Sequence, residues 1–276
     1  MFDSSVAITR VETCSAAMAR RVAAMLDLPP DGLVDGAPLP RGWQFVLLAA
    51  DTQRAALRAD GFPGLGVPMP DLGLPRLLLG GRSVAYHADI AIGAPVWRTS
   101  AMQSLTEKTT DNGKMAIATI AHELRAQPDA SPAIVETQTY MLLPARQGAV
   151  DDAGRQAATP GSGSHTKLVV PDDTLLFQYS ALCFNSHKIH LDRRYAREVE
   201  GFPDLVVNGG LSTLLLTEFL RRELAVTPSA IKVRHLLPLF CGRPMTLAAD
   251  VVDERWQLRA FNEQGHPAIS MEVGTR

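Results

Sequence analysis

The sequence predicts an α+β protein whose two halves repeat one β-rich unit. Three observations predict it. Each half contains a run of four segments rich in Val, Ile, Thr, Tyr and other apolar residues that read as strands in an antiparallel arrangement, at residues 83–142 in one and 231–273 in the other. Each half also sets a Gly-x-Pro turn before its second such strand, Gly93-Ala94-Pro95 in one and Gly242-Arg243-Pro244 in the other. Between the halves, residues 144–168 are small and polar, with no periodicity.

The elements follow in chain order. Val11 to Leu26 carries apolar residues at helical spacing, at Ala16, Ala19, Val22, Ala23 and Leu26, and Pro29-Pro30 ends it. Residues 28–80 are rich in Pro and Gly and read as a long covering segment with a short helical piece at Gln53 to Arg58. Strands are expected at Ser83–Ile92, Val96–Glu107, Met115–Leu124 and Ala133–Leu142, with Asp111-Asn112-Gly113 as a tight turn. After the linker comes a short apolar run, Leu175–Tyr179, read as a strand, and then a helix-compatible stretch from Leu211 to Leu224. Strands close the chain at Ile231–Leu239, Met245–Asp253, Gln257–Asn262 and Ala268–Val273. His87 through Val96 resembles His235 through Met245, and a repeat of this length means two copies of one domain. Coincidence between two β-rich halves is the alternative.

Composition narrows the function classes. The chain has 276 residues and a formal net charge of −2, so no broad basic surface for nucleic acid is implied. No stretch approaches the ~18–20 apolar residues of a membrane span, and the richest run, Leu211 to Leu220, contains Thr213, Thr217 and Glu218. Met1 to Arg10 includes Asp3 and has no long apolar run, so it does not read as a secretory signal. Three scattered cysteines, Cys14, Cys183 and Cys241, form no disulfide framework and suit a reducing compartment. A cytoplasmic protein is expected. Cys183 lies two residues before Asn185; a small buried residue is the favoured reading over a reactive thiol.

The segment Leu182-Cys183-Phe184-Asn185-Ser186-His187-Lys188-Ile189-His190-Leu191-Asp192, followed by Tyr195-Ala196, resembles the active-site segment of MaoC-like hot-dog hydratases, and Val206-Val207-Asn208-Gly209-Gly210-Leu211 resembles the start of their central helix. That family carries an Asp five residues before the His. Here Asn185 stands in that place, as in the branch of 3-hydroxyacyl thioester dehydratases and mesaconyl-C4-CoA and itaconyl-CoA hydratases. The resemblance extends through Trp43 and the Gly80 to Glu123 block, nearly the whole chain. It implies a double hot-dog, two antiparallel sheets each wrapped around a helix, with a degenerate domain over residues 1–147 and a catalytic domain over 148–276. It also implies a hydro-lyase acting on an acyl-CoA thioester, with CoA part of the substrate and no separate cofactor.

Adding water to an unsaturated thioester requires a polarised water, a proton for the α-carbon, and donors for the charge gathered at the thioester oxygen. A histidine is accessible in both protonation states near neutral pH, so His190 is the expected base toward water and the acid in reverse; a structural histidine is the alternative. Asn185 does not titrate and is expected to orient water or substrate, with an ordinary turn-forming Asn as the alternative. Gly209 N–H is the expected oxyanion donor and Gly210 a second, at a helix start that glycine lets a ligand approach; a plain loop-to-helix turn shares that geometry. His187 is expected to stabilise the loop or line the pocket, since His187-x-x-His190 lacks a third metal ligand. Lys188 is either solvated or attracts substrate anions. His87 and His122 lack the Asn-His context, so the first half is expected to shape the acyl tunnel. Arg82, Arg98 and Arg125 are candidates for CoA phosphates or a free carboxylate, with a surface charge as the alternative reading of each. The expected substrate is a C5 dicarboxylic thioester such as mesaconyl-C4-CoA or itaconyl-CoA, giving citramalyl-CoA. A fatty-acid-type dehydratase, a thioesterase and a non-catalytic acyl-CoA-binding protein remain alternatives. A monomer or a homodimer is allowed.

Overall fold

Ten strands line up in one antiparallel sheet, and their order exposes the repeat. The computed structural model describes residues 6–110, 113–146 and 163–275. The first half contributes β1 (Ala7–Thr13), α1 (Ala16–Met25), β2 (Arg76–Tyr86), β3 (Pro95–Thr110), β4 (Gly113–Arg125) and β5 (Ile134–Leu143). The second contributes β6 (His165–Val169), α2 (Asp173–Leu182), α3 (Arg193–Glu198), α4 (Gly209–Glu223), β7 (Ala230–His235), β8 (Met245–Val252), β9 (Arg255–Phe261) and β10 (Pro267–Gly274). The sheet order is β1-β3-β4-β5-β2-β7-β10-β9-β8-β6. Read outward from the β2–β7 pair, the two halves give the same sequence of equivalent strands. This is a double hot-dog in which the two expected sheets join edge to edge. The join runs from Gly81 opposite Arg234 to Ala85 opposite Ala230. A Cβ on Gly81 would sit 2.9 Å from the Val233 carbonyl oxygen, so glycine permits the close approach.

The central helix differs between halves. In the second, α4 is buried nearly all round, with Leu211, Leu214, Phe219 and Leu220 beside buried Ser212, Thr213 and Thr217, the signature of a helix enclosed by a core. In the first, a six-residue 3-10 turn, Trp43–Leu48, takes the corresponding place. The two lie side by side: Trp43 Nε1 donates to Glu218 Oε1 at 2.8 Å, and Gly42, at φ 100°, leaves no room for a Cβ beside Thr217. The wrapped helix expected in each half is thus full length only in the second.

Several boundaries are corrected. The expected helix Val11–Leu26 begins at Ala16, capped by the Ser15 hydroxyl, which accepts from Met18 N. Residues before it form edge strand β1, whose alternating burial is a period-2 pattern. Leu175–Tyr179 is not a strand but part of α2, whose first turn is capped by Asp172 accepting from Leu175 N at 2.8 Å; a short apolar run does not separate the two states by periodicity. The end of the expected linker is strand β6, paired with β8. The expected first-half strand Ser83–Ile92 ends at Tyr86, and Ile231–Leu239 ends at His235. The piece at Gln53–Arg58 is a 3-10 turn over Arg54–Ala56. The repeated Gly-x-Pro turns share a left-handed glycine, Gly93 at φ 82° and Gly242 at φ 72°. Asp111 and Asn112 lie outside the described residues, with Thr110 opposite Gly113 on either side. The expected domain boundary, 147/148, lies outside them too.

Candidate active site

A cavity of about 440 Å³ opens between the two halves, and Asn185, His187, His190, Gly209 and Gly210 all line it. Five of the six expected site residues therefore meet in one place. Lys188 does not line it: its ammonium donates to the Ala59 carbonyl at 2.8 Å and lies over the Tyr195 ring. It is tied to the loop from the first half.

The Asn-His segment is held by that loop. Asp60 O accepts from Lys188 N at 2.9 Å, and Ser186 Oγ donates to Gly61 O at 2.6 Å. Gly61, at φ 78°, packs so closely that a Cβ would fall 2.5 Å from Ser186 O. Within the segment, Asn185 Oδ1 accepts from His187 N at 3.0 Å, which identifies the oxygen and directs the amide nitrogen elsewhere. His187 is buried, with its ring edge-on to Phe62 and to His190, both at 5.5 Å between centroids. Its Nε2 lies 3.6 Å from Asp60 Oδ2, beyond hydrogen-bond reach.

His190 is the best-defined group. Its Nδ1 lies 2.7 Å from Val206 O. A carbonyl only accepts, so Nδ1 carries the proton and the lone pair stands on Nε2. Burial, and then neighbouring His187, press its pKa down to about 3, against the opposing pull of the Val206 carbonyl. Burial, with Arg58, lowers His187 to about 4. Both rings are neutral near pH 7. Cys183 is held as a thiol: burial pushes it up to about 12 and its Sγ donates to Tyr179 O.

Val206 leads directly into α4. The first helical bond there is Ser212 N to Asn208 O, and Asn208 makes no side-chain cap; its amide instead donates to Ser180 Oγ at 3.2 Å. The N–H groups of Gly209 and Gly210 therefore have no acceptor among the described residues, as a helix start without a cap leaves them. Side chains would close this gap. A Cβ on Gly210 would lie 2.1 Å from Tyr179 Oη, and one on Gly209 would lie 3.2 Å from His235 Cε1. Tyr179 and His235 were not singled out from sequence, because only the folded chain brings α2 and the end of β7 against Gly209 and Gly210. Of the three candidate arginines, Arg82 lines the cavity. Arg98 donates to Leu47 O and Ala49 O and pairs with Glu12, and Arg125 pairs with Glu123. Among the described residues no group of three His, Cys, Asp or Glu is placed to hold a metal ion. No described helix is long and apolar enough to cross a membrane.

The neutral histidines make stability depend on pH. His122, His187 and His235 are each lowered to about 4 and His190 to about 3, in every case first by burial. Between about pH 4 and 6.5 the unfolded chain binds protons that the folded chain refuses. Stability is therefore fully present above pH 6.5 and lost as pH falls, with each histidine contributing a slope of up to about 1.4 kcal/mol per pH unit. Calorimetric melting temperature is expected to be level above pH 7 and to fall steadily from 6.5 to 4.5. A level profile down to 4.5 would contradict the neutral assignments.

Comparison with known proteins places the chain in a family. The chain matches the family model described as hydroxyacyl-thioester dehydratase type 2 over residues 42–241. It is 30% identical over 257 residues, 93% of this chain and 91% of the other, to mesaconyl-C(4)-CoA hydratase of Chloroflexus aurantiacus. It is 27% identical to the mitochondrial hydroxyacyl-thioester dehydratase type 2 of Schizosaccharomyces pombe, over 49% of this chain and 45% of that one. Its fold is that of HtdX from Mycobacterium tuberculosis, with a TM-score of 0.69 at 17% identity, covering 99% of this chain and 100% of that one. Matched by this model over residues 42–241 and 30% identical to that hydratase over nearly the full length of both chains, this double hot-dog, with a neutral histidine and an uncapped helix start on one cavity, is an enzyme of the hydratase and dehydratase class and belongs to the hydroxyacyl-thioester dehydratase type 2 family.

Proposed function

We propose that the enzyme reversibly adds water to a short branched enoyl-CoA, with mesaconyl-C4-CoA or itaconyl-CoA as substrate and citramalyl-CoA as product. The observation that carries the reading is the pairing, across one cavity, of a neutral His190 whose Nε2 lone pair is unclaimed with the unclaimed N–H groups of Gly209 and Gly210. The choice of acyl group rests on the 30% identity to a mesaconyl-C(4)-CoA hydratase over nearly the full length of both chains.

In this reading the thioester oxygen sits at Gly209 N–H, with Gly210 as a second donor. With mesaconyl-C4-CoA, His190 Nε2 takes a proton from water as its oxygen bonds to the β-carbon, and the double-bond electrons move toward the thioester; itaconyl-CoA, whose double bond lies one carbon further from the thioester, enters the same path after a proton moves from its α-carbon to its terminal methylene. Negative charge gathers at the thioester oxygen, stabilised by fixed backbone dipoles and by the imidazolium formed across the cavity. The proton then passes to the α-carbon, so one water adds and nothing is left over. Asn185, its Oδ1 engaged with His187 N, turns its amide toward the water or the substrate. Dehydration of a 3-hydroxyacyl thioester is the same path in reverse. The first half, residues 1–147, serves as a non-catalytic partner that shapes the acyl pocket.

A panel of purified CoA thioesters followed by mass spectrometry tests this. A gain of one water on mesaconyl-C4-CoA or itaconyl-CoA, faster than on crotonyl-CoA or a long 2-enoyl-CoA, is expected. Rapid hydration of crotonyl-CoA with both C5 esters untouched would overturn the substrate choice. Release of free thiol would instead indicate a thioesterase, and binding without turnover a carrier protein.

A further inference from the structure

A buried cation on the wall of the cavity has no part in the water-addition chemistry. Arg82, on β2 at the seam between the halves, has a side chain only 9% exposed. Its Nε lies 3.2 Å from Glu136 Oε1, close enough for an ion pair but not aligned as a hydrogen bond. Glu136 is fully buried and already accepts from Gln138 Nε2 at 2.6 Å and Gln44 Nε2 at 3.0 Å. Tyr140 OH in turn donates to Gln138 Oε1 at 2.5 Å. The network fixes the carboxylate, and the carboxylate holds the guanidinium by its Nε edge.

The opposite edge is open. Among the described residues Arg82 Nη1 and Nη2 donate no hydrogen bond, and Nη2 lies 3.5 Å from where a Gly210 Cβ would be, beside the start of α4. A guanidinium carries five donors and does not deprotonate in a protein. Leaving several of them unclaimed in a buried wall is costly, and the Nη1/Nη2 edge matches the two oxygens of a carboxylate. The histidines near it add no charge, since His122 and His235 are both neutral near pH 7.

We propose that Arg82 binds the free carboxylate of the acyl group, and that this ion pair selects a dicarboxylic over a monocarboxylic thioester. The inference rests on the proposed class of substrate and assigns its recognition to one residue. The CoA phosphates are excluded as the occupant by chemistry: the pantetheine arm holds them far from a thioester seated at Gly209 and Gly210. The first half thereby contributes the specificity group to a site whose acid-base group comes from the second.

The test compares mesaconyl-C4-CoA, its carboxylate methyl ester and crotonyl-CoA by kcat/KM. In the unmodified enzyme, capping the carboxylate as its ester is expected to lower kcat/KM by about 10²-fold. In Arg82→Gln/Glu136→Gln, which removes both charges together and leaves no unpaired buried carboxylate, the ratio of kcat/KM for the acid over crotonyl-CoA is expected to fall by a similar factor. The acid and its ester should then be hydrated alike. Arg82→Lys keeps a counterion for Glu136 but loses the fork, and a smaller fall in the ratio is expected. Equal losses on acid and crotonyl-CoA, with the ratio unchanged, overturn the inference while the proposed activity stands. Equal hydration of acid and ester by the unmodified enzyme overturns it without any variant. An unmodified enzyme that hydrates crotonyl-CoA and neither C5 ester refutes the substrate reading and this inference with it.

Discussion

Replacing His190 with alanine is expected to lower kcat for hydration by about 10³-fold or more, the scale of losing a positioned general base. Nothing nearby takes over. Asn185 does not titrate, and its oxygen is engaged by His187 N. The His187 ring stands nearly perpendicular to that of His190 at 5.5 Å between centroids, with Nε2 on the side of Asp60. The substitution also removes the donor to Val206 O, leaving a buried carbonyl without its partner, at a cost of about 1–3 kcal/mol. A melting curve therefore accompanies the kinetics. The expected result is a folded protein, moderately destabilised, that binds substrate and hydrates it hardly at all. A kcat within threefold of the unmodified enzyme, measured by loss of the enoyl thioester absorbance, removes His190 from the mechanism.

Gly210→Ala is the second large effect expected, of about 10²-fold or more on kcat, the scale of losing an oxyanion donor. The added methyl would lie 2.1 Å from Tyr179 Oη and 3.1 Å from its Cζ. Tyr179 has little room to retreat, since it is 4% exposed and stacks on Phe45 at 4.9 Å between centroids. The start of α4 has to shift instead, and its free N–H groups shift with it. Adding Tyr179→Phe removes the closest atom and leaves the 3.1 Å contact, so partial recovery is expected. No recovery together with an unchanged melting temperature would mean that the loss arises elsewhere. An unchanged kcat in Gly210→Ala alone would show that the helix start does not hold the reacting oxygen.

What was legible in the sequence follows the range of the interactions involved. The strands of β3, β4, β8 and β10 are written locally, in alternating or β-branched residues between turn signals, and they were placed to within a few residues. The Asn185 to His190 spacing and the Gly209-Gly210 pair are also local, and they meet in one cavity. Leu175–Tyr179 failed because the evidence for helix lay outside the run, in the Asp172 cap. The sequence leaves Lys188 either solvated or drawn to substrate anions; the contact that holds its ammonium, the Ala59 carbonyl, lies 129 residues away in sequence and carries no local signal. Arg82 is one of three arginines that the sequence offers for a phosphate or a free carboxylate, and nothing local separates it from Arg98 and Arg125. Its burial is decided by Glu136 and Gln138 on β5 and by Gln44 in the turn Trp43–Leu48, two segments far from it in sequence that carry no common motif.

The uneven halves have a further consequence. In a pair of identical chains related by a twofold axis, every substitution is made twice, so a change that improves one pocket is also imposed on the other. Joining both copies through the β2–β7 pair of a single polypeptide lifts that constraint. One half has the short turn Trp43–Leu48 and carries Arg82 and Glu136, while the other has a full α4 with His190 before it. With the proposed roles of Arg82 and His190, acyl-group preference and acid-base chemistry lie in separately mutable stretches of one gene. Substitutions at first-half positions that line the cavity, such as Leu79 and Arg82, then change its wall without touching the segment that carries His190.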